Sequence, residues 1–287
     1  MYFMSEQRII NSLYEYFKDT PKKLKIVCGW NEVIQACEPF AFFKRIKETE
    51  KDWDWEFKRY FKDFWEPPLI VEYSPYDSKI KEDYDPENDN TSLVLARHRE
   101  IKNSPNFYQE APFLTIAEDL LKLIKEDKVE QIIFLSAYDK KKFPNEDPRK
   151  LEIFKQTLGS VCANFSTITK TSGEAFCYLQ LIGFDNENQG QSKADWIKEN
   201  AADFDIVIDD NPNICKKLLE IKLKEEEGWD IHQSSCMGCS HHYPDDGYEC
   251  FRGDILAPYY PAVESQHDKE VLLVKNEVSD LKKEDFK

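Results

Sequence analysis

Phe204-Asp205-Ile206-Val207-Ile208-Asp209-Asp210-Asn211-Pro212 is an apolar run that stops on two adjacent carboxylates. Its spacing predicts a strand over Asp205–Ile208 and, after Pro212, a helix with Ile214, Leu218 and Leu219 inward. Acids at the carboxyl end of a parallel strand lie where α/β sheets bind ligands, and two hard oxygen donors there suit Mg²⁺. The same pair in isolation also fits a turn or a helix cap, so its neighbours in the chain decide the reading. Immediately upstream, a helical pattern from about Lys193 to Asn200 leads into the strand. Further upstream the apolar run Val129–Leu135 stops at Ser136, and the first strand, Leu24–Val27, continues as Cys28-Gly29-Trp30-Asn31-Glu32-Val33-Ile34.

Other β-type runs occur at Phe176–Ile182, Asp254–Ala257 and Val271–Val274, and they alternate with helical patterns. The clearest helix starts at Thr115-Ile116-Ala117-Glu118, which has capping-box spacing ahead of a stripe formed by Ala117, Leu120, Leu121 and Ile124. Another is expected from Pro148 to Leu158, with Gly159 as its stop. Alternation of this kind predicts an α/β fold, a Rossmann-like three-layer core around a mostly parallel sheet. Two stretches break the rhythm. Residues 36–111 exceed an ordinary βα connection and are expected to form an inserted cap-like lobe, whose stripe Trp53, Phe57, Tyr60, Phe61, Phe64 and Trp65 reads as its core. Residues 225–253 read as an acidic, polar insertion containing a Cys/His cluster. The expected organisation is therefore an N-terminal helix and first core strand (1–35), the lobe (36–111), the main core (112–224), the Cys/His insertion (225–253), and closing strands with a helix (254–287).

Composition narrows the function classes. The chain has 287 residues, 41% of them hydrophobic, 33% charged and 14% aromatic, enough to bury a substantial core under a heavily charged surface. A formal charge of -16 and a pI near 4.9 set the long-range field against phosphate backbones, which disfavours nucleic acid. The basic run Lys140-Lys141-Lys142 follows the Ser136 strand closely, where a phosphate could sit, but reads first as a solvated loop. No stretch approaches a membrane span, and the start of the chain lacks the features of a signal peptide, so a cytoplasmic setting is expected. The nine glycines include no pair spaced for a dinucleotide fingerprint or a phosphate-cradling loop. Cys28, Cys37, Cys162, Cys177 and Cys215 sit in or beside apolar segments, as reduced core thiols do.

The ordered set of Ser136, Lys193 and Asp209/Asp210 on this β/α pattern resembles the haloacid dehalogenase-like (HAD) superfamily. The resemblance spans most of residues 22–275, minus the two insertions. It implies that Ser136 hydrogen-bonds a phosphoryl group, that Lys193 neutralises it, and that Asp209 and Asp210 hold Mg²⁺. It also implies an Asp-x-Asp nucleophile motif at the end of the first strand, and there this chain departs from the pattern. One alignment frame puts Gly29 at the nucleophile and Asn31 at the general acid/base; the other puts Cys28 and Trp30 there. Glycine has no side chain to attack phosphorus, and an asparagine amide does not shuttle protons at neutral pH. The missing carboxylate also weakens any Mg²⁺ site.

A second constellation is Cys236-Met237-Gly238-Cys239-Ser240-His241-His242 with Cys250, whose donors suit a structural Zn²⁺ site built from Cys236, Cys239, Cys250 and His241 or His242. The expectation is thus a HAD-like protein without phosphatase activity that binds a protein partner or a small phosphorylated ligand. The alternatives are an active Mg²⁺-dependent phosphatase acting on nucleotides or other small phosphate esters, and a zinc-stapled interaction protein.

Overall fold

A computed structural model describes residues 9–37, 40, 41, 44, 100–102, 104–140, 156, 158–165, 176–184, 189–225, 228–234, 271–274 and 276–286. The aromatic stripe Trp53 to Trp65, the expected strand at Asp254–Ala257 and the cluster Cys236 to Cys250 lie outside the described residues. So do Lys141 and Lys142.

Seven strands form one sheet: β1 (Ile9–Ile10), β2 (Leu24–Gly29), β3 (Val129–Asp139), β4 (Phe176–Phe184), β5 (Ile206–Asp209), β6 (Asp230–Ser234) and β7 (Val271–Val274). Their spatial order is β1-β7-β6-β5-β2-β3-β4, and every neighbouring pair is parallel. All carboxyl ends therefore share one edge. The central strands read as apolar runs because both of their faces are covered: β5 is buried at every residue, and β2 at all but Lys25.

The covering helices are α1 (Leu13–Phe17), α2 (Phe107–Glu110), α3 (Thr115–Lys125), α4 (Gln189–Asn200) and α5 (Pro212–Glu225). On one face, Ile26, Cys28, Phe134 and Ile208 join a cluster with Leu13, Phe17 and the apolar side of α3. On the other, Val27, Leu135 and Val207 join Ala194 and Ile197 of α4 with Ile214 and Leu218 of α5. The result is the three-layer α/β arrangement that the alternating pattern predicts. From β2 the chain moves outward through β3 to β4, then returns to the opposite side of β2 and continues through β5, β6 and β7. That reversal places a topological switch between β2 and β5, where the flanking connections diverge and open sheets form ligand crevices.

Several boundaries differ from expectation for identifiable reasons. Ser136 does not end its strand: β3 continues to Asp139 because β4 keeps pairing with it, Ser136 opposite Leu181 and Asp139 opposite Phe184. The stretch read as an insertion from residue 225 contains the core strand β6, whose backbone completes a ladder with β5 even though only Ile231 among its residues is a buried hydrophobe. Gly159 stops no helix; it lies within helical residues 158–165, where Leu158, Val161, Cys162 and Phe165 are buried. Nothing lies within 4 Å of where a Cβ would stand at Gly159, so the helix runs on at a glycine cost of about 1 kcal/mol. The capping box at Thr115 is replaced by a distant cap. Leu114 holds the N-cap position and offers no side-chain acceptor; Asn276 Oδ1 instead accepts the Ile116 N–H at 3.1 Å and the Thr115 hydroxyl at 3.2 Å. Among the described residues, no helix is long and apolar enough to cross a membrane.

Candidate functional site

The carboxyl ends of β2 and β5 meet at the switch. Strand alternation puts Asp209 on the same face as Val207, toward α4, and Lys193 reaches it from the second turn of that helix. Lys193 Nζ donates to Asp209 Oδ2 at 2.8 Å, and both side chains are buried, 7% and 3% exposed. Burial alone would lower the Lys193 ammonium, but the nearby charges of Asp209 and Asp210 and the bond to Asp209 outweigh it, so its pKa lies above the usual lysine value. The other carboxylate oxygen is committed too. Asp209 Oδ1 accepts the Asn211 N–H at 2.9 Å, a side-chain turn that feeds the chain into α5.

Gly29 faces this pair. A Cβ placed on Gly29 would stand 3.1 Å from Asp209 Oδ2 and 3.2 Å from a methyl of Val33. Position 29 is thus spatially the one opposite the acids, and it carries no side chain. Cys28, the other alignment frame, belongs to the opposite face; it is fully buried in the cluster with Ile26 and Phe134, and its thiol donates to the Gly29 carbonyl at 3.2 Å. Burial, reinforced by the Asp209 charge, pushes that thiol well above its ordinary pKa, the reverse of what a nucleophile needs. Trp30 of that frame is likewise buried, its indole N–H donating to Gln35 Oε1 at 2.9 Å.

Beyond Gly29 the chain makes one tight turn. The Trp30 carbonyl accepts N–H bonds from Ile34 at 2.8 Å and Gln35 at 3.3 Å, and Glu32 adopts a left-handed φ of 57°. The amide nitrogen of Gln35 reaches the carbonyls of Tyr108 and Ala111, each at 2.9 Å. Asn31 has a long contact of 3.5 Å from the Tyr108 hydroxyl to its Oδ1, and burial raises that phenol well above its normal range. Neither partner supplies a proton-shuttling group at neutral pH.

A second network clamps the turn from behind. Ser234, at the end of β6, donates its hydroxyl to the Glu32 carbonyl at 2.9 Å. Asn276 Nδ2 lies 3.2 Å from the Glu32 carbonyl, 3.1 Å from that of Val33 and 2.9 Å from Ser234 Oγ. Sequence reading missed Asn276, Ser234 and Gln35. The available signal was positional: polar residues at or just past strand ends, at the edge where a parallel sheet builds its sites.

The structure brings together Asp209, Lys193 and Gly29, with Asp210 near enough to act on the Lys193 charge. Ser136 is buried at 5% exposure in β3, and by strand alternation it shares the face of Ile132 and Phe134, away from the face where Lys193 meets Asp209. The candidate zinc ligands Cys236, Cys239, His241, His242 and Cys250 lie outside the described residues. Among the described residues, no group of three or more His, Cys, Asp or Glu side chains is arranged to hold a metal ion. His232 is fully buried in β6 against Tyr16 and Phe17; neither ring nitrogen makes a hydrogen bond, although Nε2 lies 3.3 Å from Asp230 Oδ2. The five described cysteines are all buried and unbridged.

Chemically, this arrangement holds a charge pair in place and, among the described residues, presents no attacking group to it. Compared with known proteins, the chain matches no family model, and no curated protein is significantly similar to it in sequence.

Proposed function

We propose that this chain is a HAD-like protein that binds without catalysing phosphoryl transfer, its residues 36–111 forming an inserted cap-like lobe. The observation that carries the reading is the glycine opposite Asp209: Gly29 stands at the switch point where a nucleophilic carboxylate would work, and Cys28 is turned into the core. Of the two binding roles, interaction with a protein partner makes the smaller electrostatic demand. A phosphorylated ligand would have to draw Lys193 away from Asp209, and Asp210 adds a further negative charge nearby. The setting we propose is cytoplasmic, in keeping with buried, unbridged thiols.

The experiment is a steady-state assay of the full chain against a panel of phosphate esters with Mg²⁺. The expected result is no turnover above background. Turnover abolished by Asp209→Asn would overturn the reading in favour of an active Mg²⁺-dependent phosphatase. The double variant Gly29→Asp/Asn31→Asp supplies the two missing carboxylates, and measurable hydrolysis there would show that the rest of the pocket remains competent. Zinc analysis of the purified protein, with Cys236→Ser and Cys239→Ser as controls, tests the proposed Zn²⁺ staple: zinc that is lost in both variants supports it, and a metal-free wild type removes it.

A further inference from the structure

We infer that the Lys193 ammonium is the resident cation of the Asp209 site, standing where a divalent metal would otherwise balance the acids, and that the site does not take Mg²⁺. Three observations carry this. First, both Asp209 oxygens already accept protein donors, Oδ2 from Lys193 Nζ at 2.8 Å and Oδ1 from the Asn211 N–H at 2.9 Å. Mg²⁺ demands oxygens at about 2.0–2.1 Å in near-octahedral geometry, so at Oδ2 it would have to share the oxygen with the ammonium, setting two cations side by side on one carboxylate. Second, the donor set is short. Gly29, which faces Asp209 across the switch, offers no side-chain donor, and among the described residues no third acid, histidine or cysteine completes a metal-holding group.

The third observation is the placement of charge. Lys193 is buried, 7% exposed, so its positive charge is poorly screened by water. A doubly charged ion brought onto the same carboxylate would sit within a few ångströms of it. In a site of low effective dielectric that repulsion is several-fold larger than in water. Asp209 and Asp210 together offset Lys193 with one negative charge to spare, which is too little to hold both cations. The Mg²⁺ expected from the acidic pair therefore does not fit the residues present. This inference stands on the ion-pair geometry and holds whether or not the chain descends from phosphatases.

The test compares thermal unfolding and calorimetric Mg²⁺ titration of the full chain in chelator and in millimolar MgCl₂, at matched ionic strength. Wild type is expected to show no Mg²⁺-specific shift of Tm that Asp209→Asn abolishes. Lys193→Gln, which uncovers the acids while keeping a polar side chain, is expected to gain Mg²⁺ affinity at least about tenfold over wild type, equivalent to about 1.4 kcal/mol. Lys193→Arg, which keeps the positive charge, is expected to gain none. A Mg²⁺-dependent shift in wild type that Asp209→Asn removes would overturn the inference, as would a folded Lys193→Gln with unchanged affinity. Should Lys193→Gln fail to fold, the wild-type titration decides alone. Mg²⁺ binding at Asp209 without ester turnover defeats this inference and leaves the non-catalytic reading standing; metal-independent turnover does the reverse.

Discussion

Lys193 and Asp209 form a pair whose energetics are those of two ions sealed from water. Removing one partner of such a pair leaves the other charged and unmatched, at a cost of about 3–5 kcal/mol, whereas replacing both with apolar groups of similar volume is often close to neutral. Lys193→Met is therefore expected to lose about that much stability in urea-induced unfolding, and Lys193→Met/Asp209→Leu to recover most of it. If the single variant unfolds no earlier than wild type, the ammonium is not matched by Asp209 in solution. These two residues were legible in the sequence because strand, helix and acids follow one another in order, and crossover connections leave little freedom in where they meet. Ser136 was read less well. An apolar run ending in serine looks like a strand end, but backbone pairing with β4 is indifferent to side-chain polarity and carries β3 three residues further. Gly29 was legible only as an absence; that a Cβ there would crowd Asp209 Oδ2 at 3.1 Å follows only from how β2 and β5 pair in space.

At the scale of elements, helix termini are held by side chains from far along the chain. Asn276 supplies the acceptor at the start of α3 and also contacts the carbonyls of Glu32 and Val33. Asn276→Ala removes the cap and part of the clamp together, and is expected to cost about 2 kcal/mol, the upper range for a cap, measured by denaturant unfolding. Nothing local announces this, since the capping-box spacing at Thr115 pointed to the wrong acceptor. The start of α1 is similar: Asp119 of α3 accepts from the Leu13 N–H at 2.8 Å and the Ser12 hydroxyl at 2.9 Å. Burial raises the Asp119 pKa even though those bonds pull it down. A carboxyl whose folded pKa lies above its unfolded value binds its proton more tightly when folded. Its contribution is thus fullest below the ordinary aspartate value of about 3.9 and declines as pH rises through the raised folded pKa. Asp119→Asn can accept the same two bonds without the charge. Relative to wild type it is expected to gain stability as pH rises from the acid range toward neutrality, and parallel stability curves for the two proteins would contradict this.

Across the whole molecule, the parallel α/β class followed from the alternation of apolar strands and amphipathic helices, and β7 fell where its sequence placed it. What escaped notice were strands specified mainly by their neighbours. β6 carries one buried hydrophobe and sits in an acidic stretch, and β1 is two residues long; each exists because an adjacent strand offers an unsatisfied backbone ladder. The pairing order has a consequence for how the chain comes to fold. β2 finds one neighbour only when residues from Val129 onward are present and the other only after Ile206, while Ile9 has no partner until Leu273 arrives. Contacts so remote along the sequence defer their reward until most loop-closure entropy has been spent, which slows folding. During synthesis β2 must therefore wait, half-matched, for β5 to leave the ribosome, a window in which chaperone engagement would be most useful.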